Sequence, residues 1–161
     1  MNNFIDNLIV DKEKKGSYLL GIQDNNQIKD IIIETPIVRT PFGIEDYNNK
    51  QIINIEFSNK DHDNDVFNFY NTVKSYEKAI LDTVVVDDYN LDNLDYVTSI
   101  RQSGKFDPMI RVNLTNNSEI PLNGCPKNTK LKAQIRLKKI WVWKERWGLY
   151  WDVLSILDES E

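Results

Sequence analysis

The segment from Lys130 to Leu157 constrains the fold most, because it reads as two long strands folded back on each other. In Leu131-Lys132-Ala133-Gln134-Ile135-Arg136-Leu137 the apolar residues alternate strictly with Lys132, Gln134 and Arg136. Successive strand side chains point to opposite faces, so this pattern calls for a sheet with one face in a core and the other basic. The return strand, Leu149 to Leu157, is reached through Lys144-Glu145-Arg146-Trp147-Gly148, a hairpin connection in which Gly148 is expected to relieve the backbone.

Ile140 and Val142 read as core residues, which shifts the phase of the alternation at Lys138-Lys139. A β-bulge at the two lysines turns Trp141 and Trp143 to the side of Lys132 and Arg136. Without it, the two indoles join Leu131 and Ile135 in the core. On the return strand Trp147, Leu149, Trp151 and Val153 share a face, so at least one of Trp147 and Trp151 is expected to be core.

The rest of the chain reads as short strands around one helix. Ser17 to Ile22 and Ile28 to Ile33 form a hairpin over Gln23-Asp24-Asn25-Asn26. Thr35 to Gly43, with Pro36 and Pro41, is an extended edge segment with a bend. Lys50 to Phe57 is a strand with Ile53, Ile55 and Phe57 on one face and Ile52, Asn54 and Glu56 on the other. Val66, Phe69, Tyr70, Val73, Glu77, Ile80, Leu81 and Val84 then recur at the three- and four-residue steps of an amphipathic helix, capped by Asp63 or Asp65. Asp87 to Asp95 is a loop, Met109 to Leu114 a strand, and Thr115 to Ser118 and Leu122 to Pro126 are turns.

Strands, a helix and further strands fit an OB-type barrel: mainly β, five strands in a Greek key, a helix between strands 3 and 4. Other α+β barrels and a helix on an open sheet fit the same order. At 161 residues one domain is expected, over 1–157, followed by a short acidic tail at 158–161. The abundance of Asn and Asp, without low complexity, reads as a compositional habit.

Net charge is −5, yet Lys127, Lys130, Lys132, Arg136, Lys138, Lys139, Lys144 and Arg146 face only Glu145 between Lys127 and Trp151. Acidic residues gather at 61–65, 87–95 and 158–161, so a basic face sits on an acidic protein, and local field is what a bound polyanion feels. Charge beside flat aromatic surface suits single-stranded nucleic acid, with cations on phosphates and indoles under bases. On this pattern Lys132, Arg136, Lys138, Lys139, Lys144 and Arg146 hold phosphates, and Trp141 and Trp143 stack bases. Arg39, Phe42 and Lys50 near the Pro-Phe-Gly bend, and Lys105 and Arg111 near Gly104, extend the set, although Phe42 equally suits a core.

Catalysis has little to stand on. One cysteine, Cys125, and one histidine, His62, cannot make a zinc set or an intramolecular disulfide, and Cys125 in Asn-Gly-Cys-Pro reads as a turn residue. Asp61, Asp63 and Asp65 lack the glycine and closing glutamate of a calcium loop. No phosphate-binding glycine loop, nucleophile elbow or cofactor motif is present, so the expectation is a protein that is not an enzyme and binds no metal or cofactor. No stretch approaches the roughly 20 apolar residues of a membrane span. The N-terminus has no signal-peptide pattern, and an intracellular location without membrane association is expected.

Thr35-Pro-Ile-Val-Arg-Thr-Pro-Phe-Gly-Ile44, the following strand and helix with Glu77, Ile140-Trp-Val-Trp143 and Trp147-Gly-Leu-Tyr-Trp151 resemble the single-stranded DNA-binding proteins of large nucleocytoplasmic DNA viruses, which are similar to phage replication OB-fold proteins. The resemblance spans about Thr35 to Leu157. It implies a non-catalytic OB protein that coats unwound DNA without sequence preference in viral replication, recombination or repair, in the host cytoplasm or nucleus. It also implies that Leu157-Asp-Glu-Ser-Glu161 is a short form of an acidic tail that contacts replication proteins. Stacking and phosphate contacts serve RNA as well. The alternative from the residues is an OB-like protein-interaction module or virion component, since interfaces are also rich in Trp, Tyr and Arg.

Overall fold

The computed structural model describes residues 7–12, 17–86, 90–102, 104–121 and 124–158. In chain order the elements are β1 (Leu8–Lys12), β2 (Tyr18–Asp24), β3 (Gln27–Lys29), β4 (Ile31–Glu34), β5 (Val38–Thr40), β6 (Ile44–Tyr47), β7 (Lys50–Glu56), α1 (Asn64–Val86), β8 (Asp95–Val97), β9 (Ile100–Arg101), β10 (Met109–Leu114), β11 (Thr129–Trp143) and β12 (Arg146–Asp158). The chain is mainly β with a long helix. Beyond Asp158 the expected acidic tail lies outside the described residues, as do parts of the 87–95 and 122–126 segments.

Twelve strands among the described residues replace the expected five, and asparagine accounts for one of the additions. A type I′ two-residue turn needs φ above zero at both positions, which asparagine tolerates best among residues with a side chain. Asn25 and Asn26 (φ 48 and 66) close β2 onto β3, and Asn48 and Asn49 (φ 50 and 64) close β6 onto β7. The Asn25-Asn26 turn lies where the sequence places it, whereas Asn48-Asn49 closes a hairpin whose first strand, β6, the sequence does not reveal.

The described chain forms two compact units, each assembled from separated segments. In the first (Met1–Ile31, Thr72–Ser99, Leu137–Tyr150), β1, β2 and β3 form an antiparallel meander. Lys139 and Ile140 of β11 pair with Leu19 and Tyr18 of β2, and the start of β12 runs parallel to β8. Tyr18, Leu20, Val73, Ile80, Leu137, Ile140, Trp147 and Leu149 are buried. So is Glu77, whose carboxylate accepts hydrogen bonds from the Tyr96 hydroxyl, the Thr98 hydroxyl (3.1 Å) and the Ser99 amide (2.9 Å). Those bonds fasten the helix to the segment around β8, and the Tyr96 ring lies 4.7 Å from that of Trp147.

In the second unit (Ile32–Asn71, Ile100–Arg136, Trp151–Glu161), β5, β7 and β10 are antiparallel neighbours, with β6 on β7 and β9 on β10. β10 runs parallel to β12 at Asn113 and Asp152, and Thr129 to Leu131 of β11 pairs with β5. Phe57 anchors the core, its ring 5.0 Å from Phe69 and 5.1 Å from Tyr70. Ile53, Ile55 and Phe57 are buried as their shared face predicts; Ile52 and Glu56 on the opposite face are buried too, because β7 is covered on both sides at these positions. Asp63 caps α1: its Oδ1 accepts from the amides of Asp65 (3.0 Å) and Val66 (3.2 Å).

Candidate functional site

The phase change at Lys138-Lys139 is present. Along β11 every odd residue from Thr129 to Leu137 is buried, Lys138 and Lys139 are both half-buried, and the next buried residue is Ile140. The alternation thereby releases the indoles from the core: Trp143 is 68% exposed and Trp141 half-buried. Trp147 and Trp151, at 2% and 1%, are both core residues.

In the first unit Lys144 and Glu145 form a two-residue turn between β11 and β12, with Lys144 at φ 55. Such a turn sets the hairpin register and brings Trp141 opposite Gly148 and Lys139 opposite Tyr150. Two close approaches agree with this. A Cβ on Gly148 would stand 2.7 Å from Cζ2 of Trp141, and the Lys139 ammonium lies 5.1 Å from the centre of the Tyr150 ring. The strained turn conformation is thus at Lys144; Gly148 has no positive φ, and its missing side chain instead makes room for the Trp141 ring.

One face of this hairpin therefore presents Lys139, Trp141, Trp143 and Tyr150, with Lys144 over the outer ring at 5.6 Å. Lys144 and Arg146 are exposed, and none of Lys138, Lys139, Lys144 and Arg146 has an ion pair among the described residues. Their charges are free to meet an anion, while each cation resting on a ring lies parallel to flat apolar surface. The sequence reading missed Tyr150; its place directly across from Lys139 was readable only with the turn at Lys144-Glu145 fixed.

In the second unit two expected phosphate ligands are committed elsewhere. Arg136 makes a bidentate pair with Asp152, Nε to Oδ1 at 3.0 Å and Nη2 to Oδ2 at 2.7 Å, and Asp152 is fully buried. Arg39 grips buried Glu56 in the same way, both bonds 3.0 Å, and the Glu56 hydrogen bond raises its pKa. A buried carboxylate left without its partner is costly, so these guanidinium groups serve folding first. Arg39 also borders a groove shared with Lys130, Glu56, Asp63 and Asp107, a lining of mixed charge. Phe42 is half-buried edge-on to Phe106 at 5.2 Å, which takes one of its faces from any base. Lys132 is exposed, and Arg111 lies 4.7 Å over the Tyr47 ring. Cys125 is buried at φ 49, its carbonyl accepting from the Ile44 amide.

No protein-family model matches the chain, and no curated protein matches it in sequence. Among solved structures its fold is similar to the crystal structure of gp2.5, a single-stranded DNA-binding protein encoded by bacteriophage T7. The likeness has a TM-score of 0.51 at 10% sequence identity and covers 79% of this chain and 90% of that one. At so low an identity it is a likeness of fold, carried by the strand-and-helix framework rather than by shared side chains.

Proposed function

We propose that this chain is a non-catalytic protein that binds single-stranded DNA without sequence preference. The observation that carries the reading is the hairpin face of the first unit, where Trp143 and Trp141 stand clear of the core among Lys138, Lys139, Lys144 and Arg146. Bases stack on such rings for roughly 1–3 kcal/mol each whatever their identity, while unpaired cations replace the counterions of the phosphates. Tyr150 joins the stacking set and Lys132 supplies a phosphate contact in the second unit. Arg39 and Arg136 act through the fold.

The fold likeness to a phage-encoded single-stranded DNA-binding protein supports this ligand. On the same likeness residues 1–157 are read as one OB-type domain, although the helix follows the seventh strand and not the third as expected. The finer role rests on the family resemblance: coating unwound DNA in replication, recombination or repair in a large nucleocytoplasmic DNA virus, within the infected cell, with the acidic terminus meeting replication proteins. Titration with labelled oligo-dT is expected to quench tryptophan emission, with affinity falling steeply as salt rises. Absence of binding at low salt ends the reading, and parallel titrations with RNA and duplex define the preference. Exposed Ile28 on β3, in the same unit as the hairpin, favours the second reading, a protein-interaction module or virion component. Self-association or partner capture with no oligonucleotide response would establish it.

A further inference from the structure

The second unit holds a cationic cluster that the hairpin does not explain. β9 pairs with β10 so that Arg101 stands opposite Met109 and Ile100 opposite Ile110. Arg111 follows two residues after Met109 on the same face, which makes Arg101 and Arg111 diagonal neighbours within reach of each other. Across β7, Arg111 stands opposite Asn54. Its guanidinium covers the ring of Tyr47, which sits at the Asn-Asn turn and is 50% exposed.

Two features of this arrangement ask for an anion. The Arg111 Nε–H is buried and has no hydrogen-bond acceptor among the described residues. A buried donor without a partner is rare and unfavourable, and an ion at the site is one of its ordinary explanations. The other feature is like charge: Arg101 and Arg111 face each other with no ion pair to either among the described residues. Arg101 is exposed as a residue, yet its guanidinium is partly desolvated at its inner side; that desolvation first, and the Arg111 charge second, lower its pKa, with Tyr47 opposing. The carboxylate of Glu45, on the same hairpin as Tyr47, accepts instead from Asn54 at 3.1 Å.

We infer that Arg101, Arg111 and Tyr47 form a phosphate-binding site for a nucleic-acid single strand, with both guanidinium groups on one phosphodiester and a neighbouring base against the exposed part of the Tyr47 ring. Guanidinium forks match phosphate oxygens two at a time, and an anion between them removes both the repulsion and the orphaned donor. The inference deepens the single-strand reading and rests on it for the ligand. It is independent of the tryptophan hairpin in its residues.

The test uses the full chain and two probes. With oligo-dT, each lost phosphate contact lowers the slope of log affinity against log salt by roughly 0.7. Arg101→Gln with Arg111→Gln is expected to lower it by one such step, because the two groups share one phosphodiester, and Arg101→Gln alone by part of that step, whereas Trp143→Ala leaves the slope unchanged and lowers affinity. With inorganic phosphate alone, isotope-edited spectra are expected to show the Arg111 Nε–H signal shifting in the wild type and not in Arg101→Gln. Arg101 is exposed, so its single variant decides the matter even where the double variant fails to fold. An unchanged slope overturns the strand as ligand, and an unmoved Arg111 signal overturns the anion site. A wild type that ignores oligo-dT refutes the single-strand reading, while the phosphate titration still decides whether an anion site exists.

Discussion

The indole of Trp141 lies against Gly148 so closely that a Cβ there would fall 2.7 Å from Cζ2, 2.9 Å from Cε2 and 3.0 Å from Nε1. The ring plane is held to the hairpin by the absence of a side chain on the opposite strand. Gly148→Ala is therefore expected to displace the indole or shift the backbone, lowering stability by about 1–3 kcal/mol, the usual result of overpacking. Urea denaturation measures the loss, and the quenching of tryptophan emission by oligo-dT should shrink with it. An alanine variant of wild-type stability and unchanged quenching would show that the indole does not need this platform.

Trp143 and Trp147 flank the same turn with opposite environments, 68% and 2% exposed. Trp143→Ala should change stability by no more than about 0.5 kcal/mol, as surface substitutions do. It should weaken oligo-dT binding by about 1–3 kcal/mol, the stacking contribution of one base. Trp147→Ala should instead cost about 3–5 kcal/mol of stability, because it empties a core site against Tyr96. Thermal melts and fluorescence titration of the two variants separate the roles.

Arg136 and Asp152 provide the contrast between a cation that binds and one that folds. Arg136→Ala should lower stability by about 3–5 kcal/mol, since it leaves the Asp152 carboxylate buried and alone. Arg136→Met with Asp152→Leu should recover most of that loss, because no charge is then left unpaired. A double variant no more stable than Arg136→Ala would count against this account.

Tyr96 sets an alkaline limit on the first unit. Burial holds its phenol far above the usual tyrosine range, and the Glu77 carboxylate adds to the shift; burial raises Tyr76 as well. A raised folded pKa means that the neutral phenol is the form favoured by folding. Its contribution is complete below the unfolded value of about 10 and is lost as pH rises above it. Denaturant midpoints should thus fall above about pH 10, and Tyr96→Phe should flatten part of that fall. At neutral pH the same variant should cost about 1.5–3 kcal/mol for the hydrogen bond lost from Glu77.

The sequence by itself determined the local, periodic part of this protein. The three- and four-residue spacing from Val66 to Leu81 specified α1, and strict alternation from Leu131 to Leu137 specified one buried face of β11. The doubled lysine at 138–139 announced the change of phase that frees Trp141 and Trp143. All three follow from the fixed geometry of helix and strand, which leaves a mark on every few residues.

Only the tertiary structure decided which cations remain available. Arg39 and Arg136 look like Lys139 and Arg146 in sequence, but Glu56 and Asp152 claim them from 17 and 16 residues away. Long-range pairing of this kind has no period to read. The same holds for Arg101 and Tyr47, which meet Arg111 only because β6, β7, β9 and β10 bring three distant segments together. Asparagine lies between the two cases. Asn25, Asn26, Asn48, Asn49, Asn59, Asn90 and Asn128 all adopt positive φ, so a residue type that composition treats as background marks where the chain turns. At Asn25-Asn26 and Asn48-Asn49 it was the pairing of the strands on either side that fixed the turn and holds these left-handed residues in place.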